Sequence, residues 1–246
     1  MGRLLALLGL VATMLGSAPA RAQPLVFDLS SHLIAITTGF SGTELLLFGA
    51  TEGEGDVIVT LRGPETTTVV RRKSRVAGIW INTERMAFAG VPAFYRVAAS
   101  RPLDQIAPPA LRARHQVGLE NLRMSPPADA PTGEIPAFRA GLLRNQEARG
   151  LYASEPGRVS FLGPRLFRTR VVLPANVPPG AYTAEVLLVR NGQVIAAQAT
   201  PMLVSKIGLG ADVYDFAHRH AALYGILAIL LAVLSGWGAS VAFRKA

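Results

Sequence analysis

The chain of 246 residues contains no cysteine and only four histidines, and acidic residues are outnumbered by basic ones. The absence of cysteine excludes disulfides and thiolate metal sites, so an exported domain made from this chain has to be stable through its core alone. The formal charge is +9 for the whole chain. Without residues 1–22, which contain Arg3 and Arg21 and are predicted below to be a cleaved signal peptide, it is +7 (23 basic minus 16 acidic residues). No nucleic-acid recognition motif accompanies this charge, so we expect no nucleic-acid partner.

The N-terminus has the pattern of a secretory signal peptide. Arg3 is followed by an apolar run over 4–15, and Ala20-Arg21-Ala22 is a small-x-small cleavage site before Gln23. The apolar run is too short for a permanent membrane span, although a retained signal anchor is the alternative. We predict a signal peptide over residues 1–22 and no cofactor, metal or catalytic group within it.

The longest uncharged run of the chain lies at the other end, over residues 221–243. As a helix it is about 34 Å long, enough to cross a hydrocarbon core of about 30 Å. Arg244 and Lys245 follow at once, and the positive-inside rule places such residues in the cytoplasm. The sequence therefore predicts a single-pass membrane protein with the bulk of the chain outside the cytoplasm and a cytoplasmic C-terminus.

Between these two segments the chain is predicted to be mainly β. Short apolar or β-branched runs separated by turn residues occur over 25–29, 33–37, 44–50, 57–61, 66–70, 76–81, 94–98, 158–162 and 166–173. Asn191-Gly192 separates two further strands, 182–190 and 193–200, and is a strong hairpin signal. A two-residue loop there pairs Leu188 with Ile195 and Val186 with Ala197, with one apolar face. Residues 173–182 resemble the entry to a late strand of bacterial immunoglobulin-like domains.

The strands are interrupted by a predicted two-helix insert. Pro108-Pro109 begins a helix that runs to about Leu122, and a second helix over 134–149 places Ile135, Phe138 and Leu142 on one stripe. The fold class is therefore immunoglobulin-like β-sandwich with this insert and one C-terminal transmembrane helix. One sandwich and two lobes are both open, and we favour two lobes. The predicted segments are a signal peptide (1–22), a first β-sandwich lobe (23–102), the helical insert (103–152), a second β lobe (153–207), a flexible juxtamembrane linker (208–220), the transmembrane helix (221–243) and a cytoplasmic tail (244–246).

Several stretches resemble a known family. They are the C-terminal stretch 203–245, which includes 206–209, 214–218 and 223–225, and the central stretches 138–139, 150–152, 161–163 and 166–169. These are similar to an uncharacterised family of alphaproteobacterial transmembrane proteins, and the similarity covers essentially the whole chain. The resemblance implies an inner-membrane protein with a periplasmic domain and no established activity. It also implies that members accompany a permease of the sulfite-exporter type.

Enzyme and metal motifs are weak. Ser41 stands in Gly39-Phe40-Ser41-Gly42-Thr43, which lacks the last glycine of a nucleophile elbow and has no helix after the serine. Glu52, Glu54 and Asp56 are too few oxygen ligands for calcium, and a solvated turn is the simpler interpretation. We therefore predict no catalytic, cofactor-binding or metal-binding residue.

Three groups of residues are candidate interaction sites. A strip of small residues on the transmembrane helix allows another helix to approach closely; it consists of Ala221, Gly225, Ala228, Ala232, Ser235, Gly236, Ala239 and Ser240. A basic run attracts anions, or is simply a solvated hairpin; it consists of Arg71, Arg72, Lys73 and Arg75. A juxtamembrane group lies at the membrane surface; it consists of Tyr214, Asp215, His218 and His220, with Asp215 and His218 spaced to form a hydrogen-bonded pair.

The sequence favours a binding function over catalysis. We expect a non-enzymatic accessory or binding subunit of an inner-membrane permease or envelope complex, with the lipid bilayer and another integral membrane protein as partners. Two alternatives stay open. The first is a structural envelope protein that associates with itself through the same helix strip, and the second is a periplasmic enzyme of unknown reaction.

Overall fold

The structure is a computed structural model, and it describes residues 24–243. The predicted signal peptide (1–22) and cytoplasmic tail (244–246) lie outside the described residues. The side chains of residues 209–212, 215, 241 and 242 lie outside them as well. The described chain is mainly β, as predicted, with an apolar helix at its C-terminal end.

The strands form two large sheets and one separate hairpin. One sheet has the order β1-β3-β10-β9, the other has the order β2-β12-β11-β4-β7-β8, and β5 pairs only with β6. The strands are β1 Leu25–Leu29, β2 Leu33–Ile36, β3 Gly42–Thr51, β4 Asp56–Arg62, β5 Glu65–Val76, β6 Ile79–Pro92, β7 Tyr95–Ala99, β8 Gly157–Arg158, β9 Ser160–Leu162, β10 Leu166–Pro174, β11 Gly180–Arg190 and β12 Gln193–Lys206.

The core lies between the two large sheets. Buried and exposed side chains alternate along β1 and β10, so the four-stranded sheet buries one face, with Phe27 and Phe167 among its largest residues. In the six-stranded sheet, the central strand β4 is buried on both faces, and so is β11 over 186–189. Runs of Val, Ile and Leu without alternation, as in β4, are typical of such doubly covered strands.

The expectation of two lobes is wrong. Strand β10, which follows the insert in sequence, pairs with β3 along nine residues, and β11 pairs with β4 along seven. Strands of residues 23–102 and 153–207 are therefore neighbours in the same sheets and share one core. The first lobe has enough strands to bury a face by itself, but its strands find their partners across the insert.

The Asn191-Gly192 hairpin is confirmed, but the predicted register holds only next to its turn. Arg190 pairs with Gln193 and Val189 with Val194, and beyond them a bulge at Ile195 shifts the pairing by one residue. Leu188 therefore lies opposite Ala196, and Val186 lies opposite Gln198, in place of Ile195 and Ala197. A bulge adds one unpaired residue to one strand, which reverses the faces of everything after it. Strand β11 of this hairpin lies in the middle of its sheet, between β12 and β4.

The insert packs on the outer face of the six-stranded sheet. It contains α1 (Leu103–Ile106), α2 (Pro109–His115), a 3-10 turn (Leu119–Asn121) and α3 (Ile135–Ala148). The second predicted helix is confirmed as α3, and it buries Phe138 and Leu142. The first is shorter than predicted: it ends at His115, because Gln116 and Gly118 adopt positive φ angles of 52° and 95°. Helical backbone requires negative φ, so the chain turns there.

The hairpin β5–β6, called here the arm, extends from the sandwich by itself. Its strands join through Ala77 and Gly78, both with positive φ as a two-residue hairpin loop requires. Near the base, Val70, Met86 and Phe88 are buried, and Val70 lies beside Gly141 of α3. Residues 71–85 are exposed or half-buried. The prediction of separate strands over 66–70 and 76–81 is therefore wrong, because 77–78 is the turn and the strands are much longer.

The chain leaves β12 at Lys206 and forms two helices in succession. They are α4 (Leu209–Arg219) and α5 (Ala221–Phe243), separated at His220, whose φ and ψ of −129° and 50° are not helical. The predicted transmembrane helix has the bounds expected from the sequence. The predicted flexible linker over 208–220 is largely the helix α4.

Candidate membrane and partner interfaces

Helix α5 is exposed along its length in the described chain. Residues Ala221–Ser240 are long and apolar enough to cross a membrane, and none of that span is buried against the rest of the protein. Large side chains such as Leu231 and Trp237 are more than 60% exposed. A soluble protein does not leave such a surface in water, so the exposed helix indicates a lipid environment.

The predicted small-residue strip lies on α5 as an open surface. A Cβ built on Gly225 or Gly236 meets no atom within 4 Å, so nothing in the described chain covers either position. The strip consists of two overlapping rows, 221-225-228-232-235-239 at steps of four and three and 228-232-236-240 at steps of four, and this spacing keeps each row on one side of the helix. The structure places the strip on α5 without placing a partner against it.

The juxtamembrane residues form local pairs on α4. The ring of His218 lies 4.0 Å from that of Tyr214, and its Nδ1 lies 2.9 Å from the Tyr214 carbonyl oxygen. The ring of His220 lies 5.6 Å from that of Phe216. The side chain of Asp215 lies outside the described residues, so its predicted pair with His218 stays a prediction. These aromatic and imidazole rings suit a headgroup boundary, where one end of a side chain is apolar and the other is wet.

The basic run lies within strand β5 and not in a turn. Arg72 is neutralised by Glu84, with 2.6 Å between Nη1 and Oε2, and its guanidinium lies over the ring of Phe138 at 4.6 Å. Alternation along the strand separates it from Arg71, Lys73 and Arg75, which point to the opposite face. Arg85 is paired with Arg71 across the hairpin and therefore joins that face. Among the described residues none of these four has a carboxylate within ion-pair distance.

The two faces of the outer arm differ. The register pairs Lys73 with Asn82 and Arg75 with Trp80, so one face carries four cations and a tryptophan. It also pairs Val76 with Ile79 and Ser74 with Ile81, so the other face is apolar at its tip. Val76, Ile79, Trp80 and Ile81 are between 40% and 66% exposed. Four large apolar side chains in contact with water at the end of a projecting hairpin form an interaction surface.

A cleft of about 480 Å³ lies between the insert and the six-stranded sheet. At its edge the carboxylate of Glu185 lies 3.5 Å from Nη2 of Arg62 and 3.6 Å from Nδ1 of His115. Arg62 also donates a hydrogen bond to the carbonyl oxygen of His115. This arrangement ties α2 to β4 and β11, with the carboxylate held between two basic groups.

Buried tyrosines fix the loops around this region. The Tyr95 hydroxyl donates to the Gln116 carbonyl at 2.6 Å and accepts from the Gly118 N–H at 2.9 Å. The Tyr152 hydroxyl donates to Pro92, the last residue of the arm, at 2.6 Å. Burial raises the pKa of both tyrosines above the ordinary value, so both remain hydrogen-bond donors throughout the physiological range.

The remaining candidate site residues lie apart. Ser41 is exposed immediately before β3, so no helix follows it. Asp56 binds Arg101 through a bond of 2.8 Å between Oδ1 and Nε, which holds the pKa of that carboxyl below its usual range despite its burial. Among the side chains that the structure describes, which exclude Asp212 and Asp215, no three His, Asp or Glu groups lie together as metal ligands would.

The surface that sequence reasoning missed is the apolar tip of the arm. Its signal was present in Ile79-Trp80-Ile81, an apolar triplet next to a basic run and an Ala77-Gly78 pair. No residue over 71–85 is buried, so the outer parts of the two strands lack the apolar alternation of a half-buried strand.

Comparisons with known proteins identify the family of the chain but give no activity for it. No curated protein matches it. A solved structure of a family 123 glycoside hydrolase from Clostridium perfringens, described for its hydrolysis of glycolipid glycans, shares 10% identity with a TM-score of 0.26. That match covers 76% of this chain and 28% of the hydrolase chain, and it is too slight to indicate a shared fold or activity. Residues 24–245 match a family model, and the chain therefore belongs to the family described as "Putative transmembrane protein (Alph_Pro_TM)".

Proposed function

We propose that the protein is a non-enzymatic accessory or binding subunit of an inner-membrane permease or envelope complex. The observation that carries the proposal is α5, an apolar helix that follows the folded sandwich and has no part of its span buried against it. A sulfite-exporter type permease is the partner that the family resemblance suggests. The anchored body presents binding surfaces close to a membrane partner, which is what an accessory subunit requires.

The orientation follows from charge and processing signals. The N-terminal pattern over 1–22 directs export, and Arg244 and Lys245 remain on the cytoplasmic side of α5. The sandwich is then periplasmic, and its stability without cysteine agrees with an exported body of this size. A reporter fused after Ala246 should be active in the cytoplasm and inactive outside it.

The partner would contact the small-residue strip of α5. Gly and Ala allow two helix backbones to approach closely, and van der Waals packing at that distance favours association of membrane helices. The arm and the sandwich then lie over the periplasmic side of the partner. Cations of the arm attract anions to this region.

The test is capture of the partner by the full-length protein from gently solubilised membranes at native expression. We expect an integral membrane protein to co-purify, and Ala228→Leu with Ala232→Leu to reduce its yield about tenfold, because larger side chains separate the backbones. Leu230→Phe with Leu234→Phe enlarges side chains on the other side of α5 and should leave the yield unchanged.

Two results would contradict the proposal. Purification without any membrane partner would exclude an accessory role. Crosslinking in membranes that yields homodimers and nothing larger, lost in the Ala228→Leu and Ala232→Leu variant, would instead support self-association through the same strip.

A further inference from the structure

We infer that the outer part of the arm, residues 71–85, binds the surface of an anionic lipid bilayer. The tip would enter the interfacial layer end-on with Trp80, Ile79 and Ile81, and the cations on one face of the hairpin above it would reach the headgroups. This inference rests on the membrane anchoring in the proposed function, but it does not depend on a permease partner.

The apolar tip has the composition of a membrane-interface element. Trp80 and Ile79 are 66% and 64% exposed, and Val76 and Ile81 extend the same tip. Tryptophan prefers the headgroup level, because its ring is apolar while its N–H finds a partner there. Burying the aliphatic side chains in the acyl boundary removes from water the surface that the structure leaves exposed.

The charges next to the tip select an anionic surface. Residues 71–85 contain five basic residues and one acid, and the acid, Glu84, is already paired with Arg72. The other four cations share one face of the hairpin, which a protein core would not accept without acidic partners. Anionic headgroups supply many negative charges in a plane, and each cation close to them favours binding about fivefold.

The base of the arm lies at the same end of the sandwich as the end of β12, from which the chain continues to the membrane helix. Arg62, three residues before β5, pairs with Thr183, and Thr183 pairs with Pro201 of β12. Pro64 lies against Gly180, which is opposite Val204, so the base of the arm is about 10 Å from the strand that leads to the membrane helix.

The arm is long enough for the contact. Strand β5 has 12 residues, or about 36 Å from end to end. Helix α4, which separates the sandwich from α5, has 11 residues and a length of about 16 Å. An arm that is longer than the spacer, and that starts beside it, has the reach to meet the surface where α5 begins.

Trp80 provides the probe, because the chain has only two tryptophans and the other is Trp237 in α5. The full-length Trp237→Phe variant is reconstituted in phosphatidylcholine vesicles with and without phosphatidylglycerol. Carbonate extraction first establishes that the variant is anchored, so failure of anchoring is separated from failure of the arm to bind. With phosphatidylglycerol we expect Trp80 emission at shorter wavelength, quenching by brominated lipid and protection from aqueous iodide.

The matched variants test the charge. Changing Arg71, Lys73 and Arg75 to Gln should weaken the contact about a hundredfold and restore iodide quenching, as should high salt. Changing Arg158, Arg165 and Arg168 to Gln removes the same charge at the other end of the sandwich, beside Ala99 and Thr51, and should have no effect. Far-UV circular dichroism establishes that both triple variants are folded.

Two outcomes would overturn the inference. The first is Trp80 that remains accessible to iodide in vesicles containing phosphatidylglycerol. The second is emission at shorter wavelength without quenching by brominated lipid, which would show that the arm is covered by protein, such as a second copy of this chain.

Discussion

At the scale of single residues, the tightest place in the sandwich is Gly49 in β3. A Cβ built there would lie 2.5 Å from the Val26 carbonyl oxygen and 2.6 Å from a ring carbon of Phe167. Both neighbours belong to strands that pair with β3, on either side of it. Glycine at this position lets the ring of Phe167 pack against the backbone of the central strand.

Replacing Gly49 with Ala should therefore destabilise the protein by about 1–3 kcal/mol, because one added methyl group forces β1 or Phe167 to move. Gly39 is the matched control, since a Cβ there meets no atom within 4 Å. Urea unfolding of the full-length protein in detergent, followed by circular dichroism, measures the difference. Equal midpoints for the Gly49→Ala and Gly39→Ala variants would contradict the close packing.

Individual contacts of this kind are not readable from the sequence. The predicted basic run was correct in composition, but its division into a neutralised Arg72 and a cationic face depends on Glu84 and Phe138, which are distant in sequence. The hydroxyl of Tyr95 likewise bonds backbone groups 21 and 23 residues away. Local patterns carry no information about such partners.

At the scale of elements, α3 supports the arm. Phe138 is buried on the helix face that meets β5, with Arg72 above its ring and Val70 beside Gly141 one turn further on. The arm has no other paired strand, and a two-stranded hairpin is only marginally stable by itself. Packing against α3 therefore helps to keep the lower arm in place, together with the Ala89–Ser125 bridge and the hydrogen bond from Tyr152 to Pro92.

Truncating Phe138 to Ala should cost about 3–5 kcal/mol and loosen the arm. We expect faster trypsin cleavage within residues 71–85, mapped by mass spectrometry, relative to the wild-type chain. Phe138→Leu keeps most of the volume and should be cleaved at nearly the wild-type rate. A Phe138→Ala variant whose arm resists trypsin as well as the wild type would show that the arm is rigid without α3.

Strands and helices were predicted well where a single local pattern in the sequence determines them. Period-two runs and the Asn191-Gly192 turn located most strands, and the apolar stripe located α3. The exceptions have identifiable causes. The first insert helix ends early because Gln116 and Gly118 take positive φ, and the hairpin register shifts at a bulge. In the arm no residue over 71–85 is buried, so the sequence there lacks the alternation that a buried face produces. Bulges and strand partners are set by tertiary packing, which outweighs local pattern.

At the scale of the whole molecule, the two halves of the chain form one unit. Neighbouring strands come from either side of the insert in both large sheets. The sequence did not decide between one sandwich and two, because each half contains enough strands to suggest a domain. The membrane-spanning helix, in contrast, could be predicted from residues 221–243 alone, because the thickness of the bilayer sets the length that such a helix must have.

If the two halves form one cooperative unit, a destabilising substitution in one half should reduce hydrogen-exchange protection in both halves. Val186 in β11 is fully buried, so Val186→Ala should destabilise the protein by about 2 kcal/mol. Hydrogen exchange followed by mass spectrometry should show equal loss of protection in β11 and in β4 and β3, which precede the insert. Val172→Ala, at a position 60% exposed, is the control. Faster exchange confined to residues 153–207 would favour two lobes.

The pairing of β12 has a mechanical consequence for a body tethered to a membrane. The chain runs from β12 into α4 and α5, and β12 is bonded to β11 along eleven residue pairs and to β2 along four. Tension that reaches the sandwich through α5 pulls along β12, while the hydrogen bonds of the antiparallel pair stand perpendicular to it. The load is then shared in shear by the whole ladder, and its bonds have to break together instead of opening one at a time.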